Sequence, residues 1–398
     1  MAKLLQINVT ANWGSTGKIA EQIGQLAMKS NWESYIAYGR YCNPSESHLI
    51  KIGNQLDVYE HYVENVLLDN EGLASRRSTK SFVEIIKKLR PDIIQLHNIH
   101  DHYLNYFELF VYLSTTTIPV VWTQHDCWAF TGGCHYYSID GCTQYQKECI
   151  KCLKKKKLFV DRTNRQYNLK KKLFLGVNNL TVVPVSRWLE KEVKKSFLCQ
   201  FPVYAILNGV DLSVFKPRYD NDLMRKYNLQ FKHYVIGVAS KWDERKNLKD
   251  YLALATLLPD VTIVIVGLPL MKRKGFPSNL IVIPRTQSAN DLAVLYTGAF
   301  AVLNLSSVES FGLTTVEGLA CGTPGIVYNC TASPELVTPD TGVIIEQGNI
   351  NVLKETVLSM KNGSFFHADA CRKRAVEFYD KDKCYEKYIR LYQDLSLK

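Results

Sequence analysis

Short runs of apolar residues recur along the chain and alternate with segments in which apolar residues follow a helical spacing. Runs of this length and character are typical of strands that are buried on both faces of a parallel sheet. They lie at residues 3–9, 34–38, 91–96, 119–123, 180–185, 234–239, 261–266, 280–283 and 299–305. The alternation predicts an α/β fold with crossover helices. Because a chain of 398 residues is too long for one such core, we expect two doubly wound domains.

The segment 304–325 is the strongest candidate for a functional site. An apolar run ends at Leu305, Glu309 follows in a loop, and residues with helical spacing carry Glu317 about two turns further on. A loop between a strand and a helix N-terminus presents backbone N–H groups and the positive end of the helix dipole. The order strand, loop, helix therefore favours an anionic ligand at this loop.

The spacing of Glu309 and Glu317 resembles the E-x7-E region of the family 4 glycosyltransferases, which are retaining enzymes of the GT-B fold. The resemblance implies two Rossmann-like doubly wound domains that face each other across a cleft. It also implies that Glu309 lies beside the donor sugar and that Glu317 binds the nucleotide ribose. The loop and helix start that would complete the donor site are Ser310, Phe311, Gly312 and Leu313.

Three cations follow the run 234–239, at the segment where this family holds the donor diphosphate. Lys246 matches the family lysine, whereas Lys241 stands where an arginine is usual. That difference keeps the charge but loses bidentate phosphate geometry, for which Arg245 is a possible compensation. Because these cations can stabilise the departing diphosphate, no catalytic metal is expected.

Two segments of the first half point to the same binding region. Gly14 and Gly17 lie in a loop between the first strand and a helix expected from about residue 18, and the resemblance places such a loop near the acceptor or the diphosphate. A tight turn that requires glycine is the alternative. His125 follows the run 119–123, where the family often carries a histidine close to the donor sugar. His97, His100 and His102 are candidate metal ligands, although no carboxylate pattern in the sequence supports a metal site there.

An insertion at residues 131–157 contains Cys134, Cys142, Cys149 and Cys152, of which the last two form a C-x-x-C pair. Such a pair commonly supplies two of the four ligands of a structural zinc ion, so we expect zinc here, with His135 as a possible substitute ligand. Free thiols and disulfides remain alternatives. Some bacterial polysaccharide glycosyltransferases look similar, with a TGGCHY segment followed by further cysteines.

The segment NGVD at 208–211 and the following Phe215 resemble the family's domain junction. We predict an N-terminal domain at residues 1–216, a nucleotide-sugar domain at 217–378 and a C-terminal helix at 379–398 that returns to the first domain.

The net charge of +11 predicts a surface that attracts anions. The densest basic cluster, residues 151–157, indicates either a solvated face or a peripheral contact with an anionic membrane. The N-terminus does not resemble a signal peptide, so we expect a cytoplasmic enzyme. A peripheral location at the inner membrane face is the alternative that the basic cluster raises.

These observations predict a retaining hexosyltransferase that uses a nucleotide diphosphate sugar, with a UDP-sugar favoured over a GDP-sugar. Its acceptor would be a carbohydrate or lipid-linked saccharide of capsular polysaccharide, exopolysaccharide or lipopolysaccharide assembly. One alternative is a sugar-nucleotide epimerase or hydrolase of the same fold. The other is a non-catalytic nucleic-acid-binding module. The chain lacks interleaved aromatic and basic residues on a recognition element, so no nucleic-acid partner is expected.

Overall fold

The structure is a computed structural model that describes residues 1–152, 160–272, 275–363 and 367–397. The chain forms two compact units, of which the first comprises residues 1–207 and 385–398 and the second residues 208–384. Both units are built around a sheet of six parallel strands. The predicted α/β class with two doubly wound domains is therefore confirmed.

The first unit contains one sheet with the strand order β3-β2-β1-β4-β5-β6. Its strands are β1 (Ala2–Asn8), β2 (Trp32–Tyr38), β3 (His48–Lys51), β4 (Ile93–Leu96), β5 (Val120–Gln124) and β6 (Leu180–Pro184). Its helices are α1 (Gly14–Lys29), α2 (Gln55–Leu68), α3 (Arg76–Leu89), α4 (Tyr106–Leu113), α5 (Thr163–Leu175) and α6 (Arg187–Lys194). The strand order reverses between β1 and β4. Ligands of open α/β sheets bind beyond the carboxyl ends of the strands at such a switch point.

The second unit repeats this topology with the order β12-β11-β10-β7-β8-β9, so its switch point lies between β7 and β10. Its strands are β7 (Tyr234–Val238), β8 (Thr262–Val266), β9 (Leu280–Ile283), β10 (Ala301–Asn304), β11 (Gly325–Tyr328) and β12 (Gly342–Ile345). Its helices are α7 (Asn221–Lys226), α8 (Leu248–Leu257), α9 (Ala289–Gly298), α10 (Leu313–Ala320), α11 (Ile350–Lys361) and α12 (Ala368–Phe378). Aliphatic side chains of the central strands are fully buried in its core, among them Val235, Ile263 and Ile265.

The last helix, α13 (Lys381–Ser396), contributes most of its length to the first unit. Tyr388 and Tyr392 on this helix are almost fully buried. The Tyr392 hydroxyl donates to Oε1 of Gln95 in β4 at 2.5 Å, and Thr123 in β5 donates to the Tyr388 hydroxyl at 3.1 Å. These hydrogen bonds satisfy polar groups that the sheet buries.

Two boundaries differ from the sequence-based expectation. Helix α1 begins at Gly14 rather than near residue 18, and its N-cap residue, Trp13, makes no side-chain cap hydrogen bond that would mark the start. The units divide after residue 207 rather than 216. The segment that follows residue 207 packs within the second unit, where Val210 N–H donates to Tyr379 O at 2.7 Å and Arg372 donates to Phe215 O at 2.6 Å.

Candidate active site

Two loops meet at the switch point of the second sheet. One follows β7 and carries Lys246, and the other follows β10 and carries Ser306 and Glu309. Lys246 Nζ lies 2.5 Å from Oε1 of Glu309, and the Ser306 hydroxyl donates to the same oxygen at 2.8 Å. A backbone hydrogen bond of 2.8 Å from Ser307 to Arg245 joins the loops. The structure thus brings together the predicted lysine and the first glutamate of the pair.

Both partners of this ion pair remain partly exposed, at 23% for the Lys246 side chain and 15% for that of Glu309. The loop that carries Glu309 is held from its other side by Thr331, whose hydroxyl accepts from Glu309 N–H and donates to Glu309 O, both at 2.8 Å. A ligand can therefore reach a carboxylate and an ammonium group that are fixed in position. The sequence does not indicate Ser306 or Thr331, because a lone hydroxyl residue beside a loop forms no recognisable spacing pattern.

The N-terminus of α10 points its helix dipole at this region. Gly312 precedes the helix with a φ of +101°, a conformation that favours glycine. A Cβ atom there would also approach Leu336 Cδ1 to 2.8 Å. Within this described helix no side chain caps the N-terminus and the first turn carries no acidic residue, so its positive end favours an anion.

The residues between the two glutamates differ in exposure. Ser310 and Leu313 are half-buried, as a loop beside a ligand site allows. Phe311 is buried, and its ring packs on that of Tyr379 with centroids 5.8 Å apart. Phe311 therefore supports the loop from the core.

Glu317 lies on α10, as predicted, and is half-buried. Its Oε2 accepts a hydrogen bond of 3.0 Å from the hydroxyl of Tyr296. Burial, with the charge of Glu317, holds the pKa of Tyr296 well above its usual value, so this phenol stays protonated and donates. Tyr296 is a positioning residue that the sequence did not indicate, because it comes from α9.

The other two predicted diphosphate cations are placed differently. Arg245 forms an ion pair with Asp243, with Nη2 and Oδ2 2.6 Å apart. Burial raises the pKa of the Asp243 carboxyl, but the hydrogen bonds and charge of Arg245 outweigh burial and help to hold that pKa below its usual value. Asp243 therefore offsets part of the charge of Arg245. Lys241 is exposed.

At the switch point of the first sheet, the candidate His125 stacks on His97. Nδ1 of His97 lies 3.0 Å from Nε2 of His125, and Nε2 of His97 lies 3.0 Å from Oε1 of Gln6. Burial lowers the pKa of His125 to about 4 and that of His97 well below its usual value, so both rings are neutral near pH 7. Since Gln6 Oε1 accepts from His97 Nε2, His97 Nδ1 accepts from His125 Nε2. His125 is left with Nδ1 as a hydrogen-bond acceptor.

The glycine loop of the first unit is compact. Gly17, in the first turn of α1, has no room for a side chain, because a Cβ atom there would lie 2.6 Å from Thr10 Oγ1. Asn12 N–H donates to Gly17 O at 3.1 Å, which closes the loop on itself. Gly14 has open space around it, so its positive φ, rather than crowding, accounts for glycine there.

A buried group of ionisable side chains lies beside the paired histidines. Asp126 Oδ2 lies 2.9 Å from Nε2 of His100 and 3.3 Å from Nδ1 of His135. Nε2 of His135 lies 3.4 Å from Oε1 of Glu71. Burial lowers the pKa of both histidines, but the carboxylates outweigh it and raise the pKa to about 10 for His100 and about 9 for His135.

The four predicted zinc ligands, Cys134, Cys142, Cys149 and Cys152, line one cavity of about 330 Å³ and form no disulfide. A hydrogen bond with Cys152, together with burial, raises the pKa of Cys134. Among the described residues, the group whose three ligand atoms lie within 4.8 Å of one another is Glu71, His100 and His135, and it includes none of these cysteines.

Most of the basic cluster at residues 151–157 lies outside the described residues, which end at residue 152 before this gap. Its expected membrane contact therefore has no structural description. In the described part of the chain, every helix is too short or too polar to traverse a bilayer.

Two family descriptions match nearly the whole chain in succession. "Glycosyltransferase Family 4" matches residues 20–214, and "Glycosyl transferases group 1" matches residues 220–378. One similar protein comes from Escherichia coli (strain K12) and is provisionally named as a colanic acid biosynthesis glycosyl transferase, WcaC. Its sequence is 22% identical to this chain, over 98% of this chain and 100% of its own length.

Solved structures show the same architecture at low sequence identity. Sucrose-phosphate synthase from Thermosynechococcus elongatus aligns over 99% of both chains with a TM-score of 0.73 and 16% identity. Anabaena Alr3699/HepE in complex with UDP-glucose aligns over 99% of this chain and 100% of its own, with a TM-score of 0.67 and 13% identity. The two matched family descriptions, which together span most of the chain, identify it as a member of the family 4 glycosyltransferases, and the solved structures share its GT-B fold.

Proposed function

We propose that the chain transfers a sugar from a nucleotide diphosphate sugar, with UDP as the favoured nucleotide, to a hydroxyl group of a saccharide or lipid-linked saccharide. The observation that carries this proposal is the contact of Lys246 with Glu309 at the switch point of the second sheet, beside the N-terminus of α10. An ammonium group and a helix N-terminus together suit a diphosphate, and a carboxylate beside them suits sugar hydroxyls.

In this proposal, each of the following residues has a role in binding the donor or the acceptor. Glu317, held by Tyr296, accepts hydrogen bonds from the ribose hydroxyls. Lys246 binds the diphosphate, assisted by Lys241 and Arg245, and Glu309 contacts the donor sugar. In the first unit, neutral His125 accepts a hydrogen bond from a sugar hydroxyl. The loop with Gly14 and Gly17 borders the acceptor or the diphosphate.

These cations support departure of the diphosphate without a catalytic metal ion. As the bond to the sugar breaks, negative charge grows on the leaving phosphate oxygen, where Lys246 and the helix N-terminus stabilise it. Retention of anomeric configuration is consistent with this arrangement, because the leaving oxygen can take the acceptor's proton on the face from which it departs. We expect added Mg²⁺ to leave the transfer rate of EDTA-treated enzyme unchanged, and a strict requirement for Mg²⁺ would contradict this mechanism.

We propose that the enzyme acts in the assembly of a bacterial surface polysaccharide, which is a capsular polysaccharide, an exopolysaccharide or a lipopolysaccharide. It rests on the full-length similarity to the colanic acid protein, and the neighbour bound to UDP-glucose supports UDP as the nucleotide. We further propose a cytoplasmic enzyme that contacts the inner membrane through the basic residues 151–157, which the lysine-rich sequence supports.

We also propose a structural zinc ion bound by Cys134, Cys142, Cys149 and Cys152. Its support is that these side chains line one cavity and that none is in a disulfide. Binding would require the four sulfur atoms to draw together to the tetrahedral spacing that zinc prefers.

The deciding experiment measures UDP release from a panel of UDP-sugars with and without saccharide acceptors. A transferase releases UDP at a rate that rises strongly with the correct acceptor. Release that ignores every acceptor would instead favour a hydrolase or epimerase of this fold. The same panel with GDP-sugars tests the nucleotide preference.

A further inference from the structure

A second cluster of potential metal ligands lies in the first unit, and it does not include the cysteines. Glu71 precedes α3, His100 follows β4, and His135 lies in the cysteine-bearing insertion. One ligand atom from each of these three residues lies within 4.8 Å of the other two. His135 Nε2 and Glu71 Oε1 are 3.4 Å apart, a separation expected of two atoms that each bind one metal ion at about 2 Å.

Asp126 holds both histidines in orientations that suit ligation. Its Oδ2 receives Nε2 of His100 at 2.9 Å and Nδ1 of His135 at 3.3 Å. The other nitrogen of each ring, Nδ1 in His100 and Nε2 in His135, would bind a metal ion that takes the place of its proton. A carboxylate that binds the distal nitrogen of a ligating histidine is the usual second layer of a metal site.

Nδ1 of His100 has no accepted hydrogen-bond partner among the described residues, although the ring is about 95% buried. The nearest carboxylate oxygen to this atom, Oδ2 of Asp101, is 3.4 Å away. This contact is long for a hydrogen bond, and a metal ion bound to Nδ1 in place of the proton would keep a positive charge beside Asp101. The His135 side chain is 31% exposed, which leaves a route for an ion to enter.

We propose that Glu71, His100 and His135 bind one divalent transition-metal ion, of which zinc is the best match. Two imidazole nitrogens with one carboxylate oxygen are a common zinc ligand set. The ion would tie the cysteine-bearing insertion, through His135, to the loop before α3 and to the end of β4. This role is independent of the donor site in the second unit.

Metal content and cobalt spectroscopy test the site. The enzyme is stripped with a chelator and loaded with Co²⁺, in the wild type and in a C149S/C152S background that removes two sulfur ligands. In that background we expect about one Co²⁺ per chain, with visible d–d bands but without the near-ultraviolet thiolate charge-transfer band. Glu71→Gln or His135→Asn should abolish that signal, whereas the exposed His233→Asn should not.

Two further measurements keep the proposal falsifiable if one variant folds poorly. Asp126→Asn should weaken Zn²⁺ binding about 10- to 100-fold, because it loosens both histidines without removing a ligand. In the C149S/C152S background, Zn²⁺ should raise the Tm of the stripped protein, but it should not raise the Tm of the same protein carrying His135→Asn. A C149S/C152S protein that binds no Co²⁺, or equal binding before and after His135→Asn, would overturn the proposal and leave the cluster as a buried ion network.

Discussion

Lys246 and Glu309 are separated by 63 positions in the sequence, yet their ammonium and carboxylate groups lie 2.5 Å apart. They meet because β7 and β10 are neighbours in the second sheet and both loops leave the carboxyl ends of these strands. A parallel sheet that reverses its order at this point brings the two loops together without any sequence proximity. In the mechanism we propose, this contact couples a cation that binds the diphosphate to a carboxylate that binds the sugar.

Replacement of Lys246 tests its part in the reaction. We expect Lys246→Ala to lower turnover roughly a hundredfold, because a preorganised charge beside the leaving diphosphate is lost. Steady-state rates with a saturating donor provide the measurement. Lys249→Ala is the matched control, since this exposed lysine lies three residues further on in α8. Turnover in Lys246→Ala equal to that of the control would remove Lys246 from the mechanism.

Glu317→Ala should weaken donor binding by about 2 kcal/mol, or roughly thirtyfold in Kd, because a charge-assisted hydrogen-bond pair to the ribose is lost. Tyr296→Phe should weaken it less, since the carboxylate remains but loses one of its positioning contacts. Calorimetric titration with the donor, compared with the exposed Glu377→Gln, measures both effects. A Kd unchanged in Glu317→Ala would refute the ribose assignment.

The buried imidazole of His125 should make the protein less stable at acidic pH. Burial is the largest cause that lowers its folded-state pKa to about 4. The charge of Asp126 opposes this shift, and the charge of His100 adds to it. In the unfolded chain the pKa is about 6.5, so the unfolded state binds the extra proton between these values. The contribution to stability is complete above pH 6.5 and is lost as the pH falls towards 4.

His125→Gln should therefore flatten the dependence of the free energy of unfolding on pH by about 1.4 kcal/mol per pH unit within this window. Urea titrations at several pH values measure the slope, with the exposed His48→Gln as the control. An unaltered slope in His125→Gln would show that His125 does not remain neutral in the folded protein.

The stereochemistry of transfer is the next test. We expect an α-linked donor to give an α-linked product, because the leaving phosphate oxygen accepts the acceptor's proton on the same face. Proton NMR of the first-formed product reads the anomeric configuration directly. A β linkage would show inversion, which requires a general base on the opposite face of the sugar, and would contradict the proposed mechanism.

Much of the fold follows from sequence pattern alone. The run 280–283 coincides with β9 (Leu280–Ile283), and the run 299–305 contains β10 (Ala301–Asn304), because strands buried on both faces leave continuous apolar runs. The start of α1 was placed too late, since Gly14 begins it without the capping side chain that usually reveals a helix start.

The site was predictable only where a motif carries its residues. Glu309, Glu317 and Lys246 keep a spacing that can be read along the chain. Tyr296 and Asp126 act on neighbours that are distant in sequence, so no local pattern reveals them. The carboxylates that surround His100 likewise come partly from other segments, which is why the histidine-rich segment lacked a visible metal pattern.

The most direct test of the account is calorimetric titration of the wild-type protein and of Lys246→Met with UDP. Every UDP-sugar contains UDP, so this titration can be done before the donor sugar is known. We predict that UDP binds the wild type without added metal, that the affinity falls as salt concentration rises, and that Lys246→Met binds at least about tenfold more weakly. Equal affinity in both proteins, or no binding of UDP or GDP to the wild type, would contradict the assignment of the donor site to the loops that carry Lys246 and Glu309.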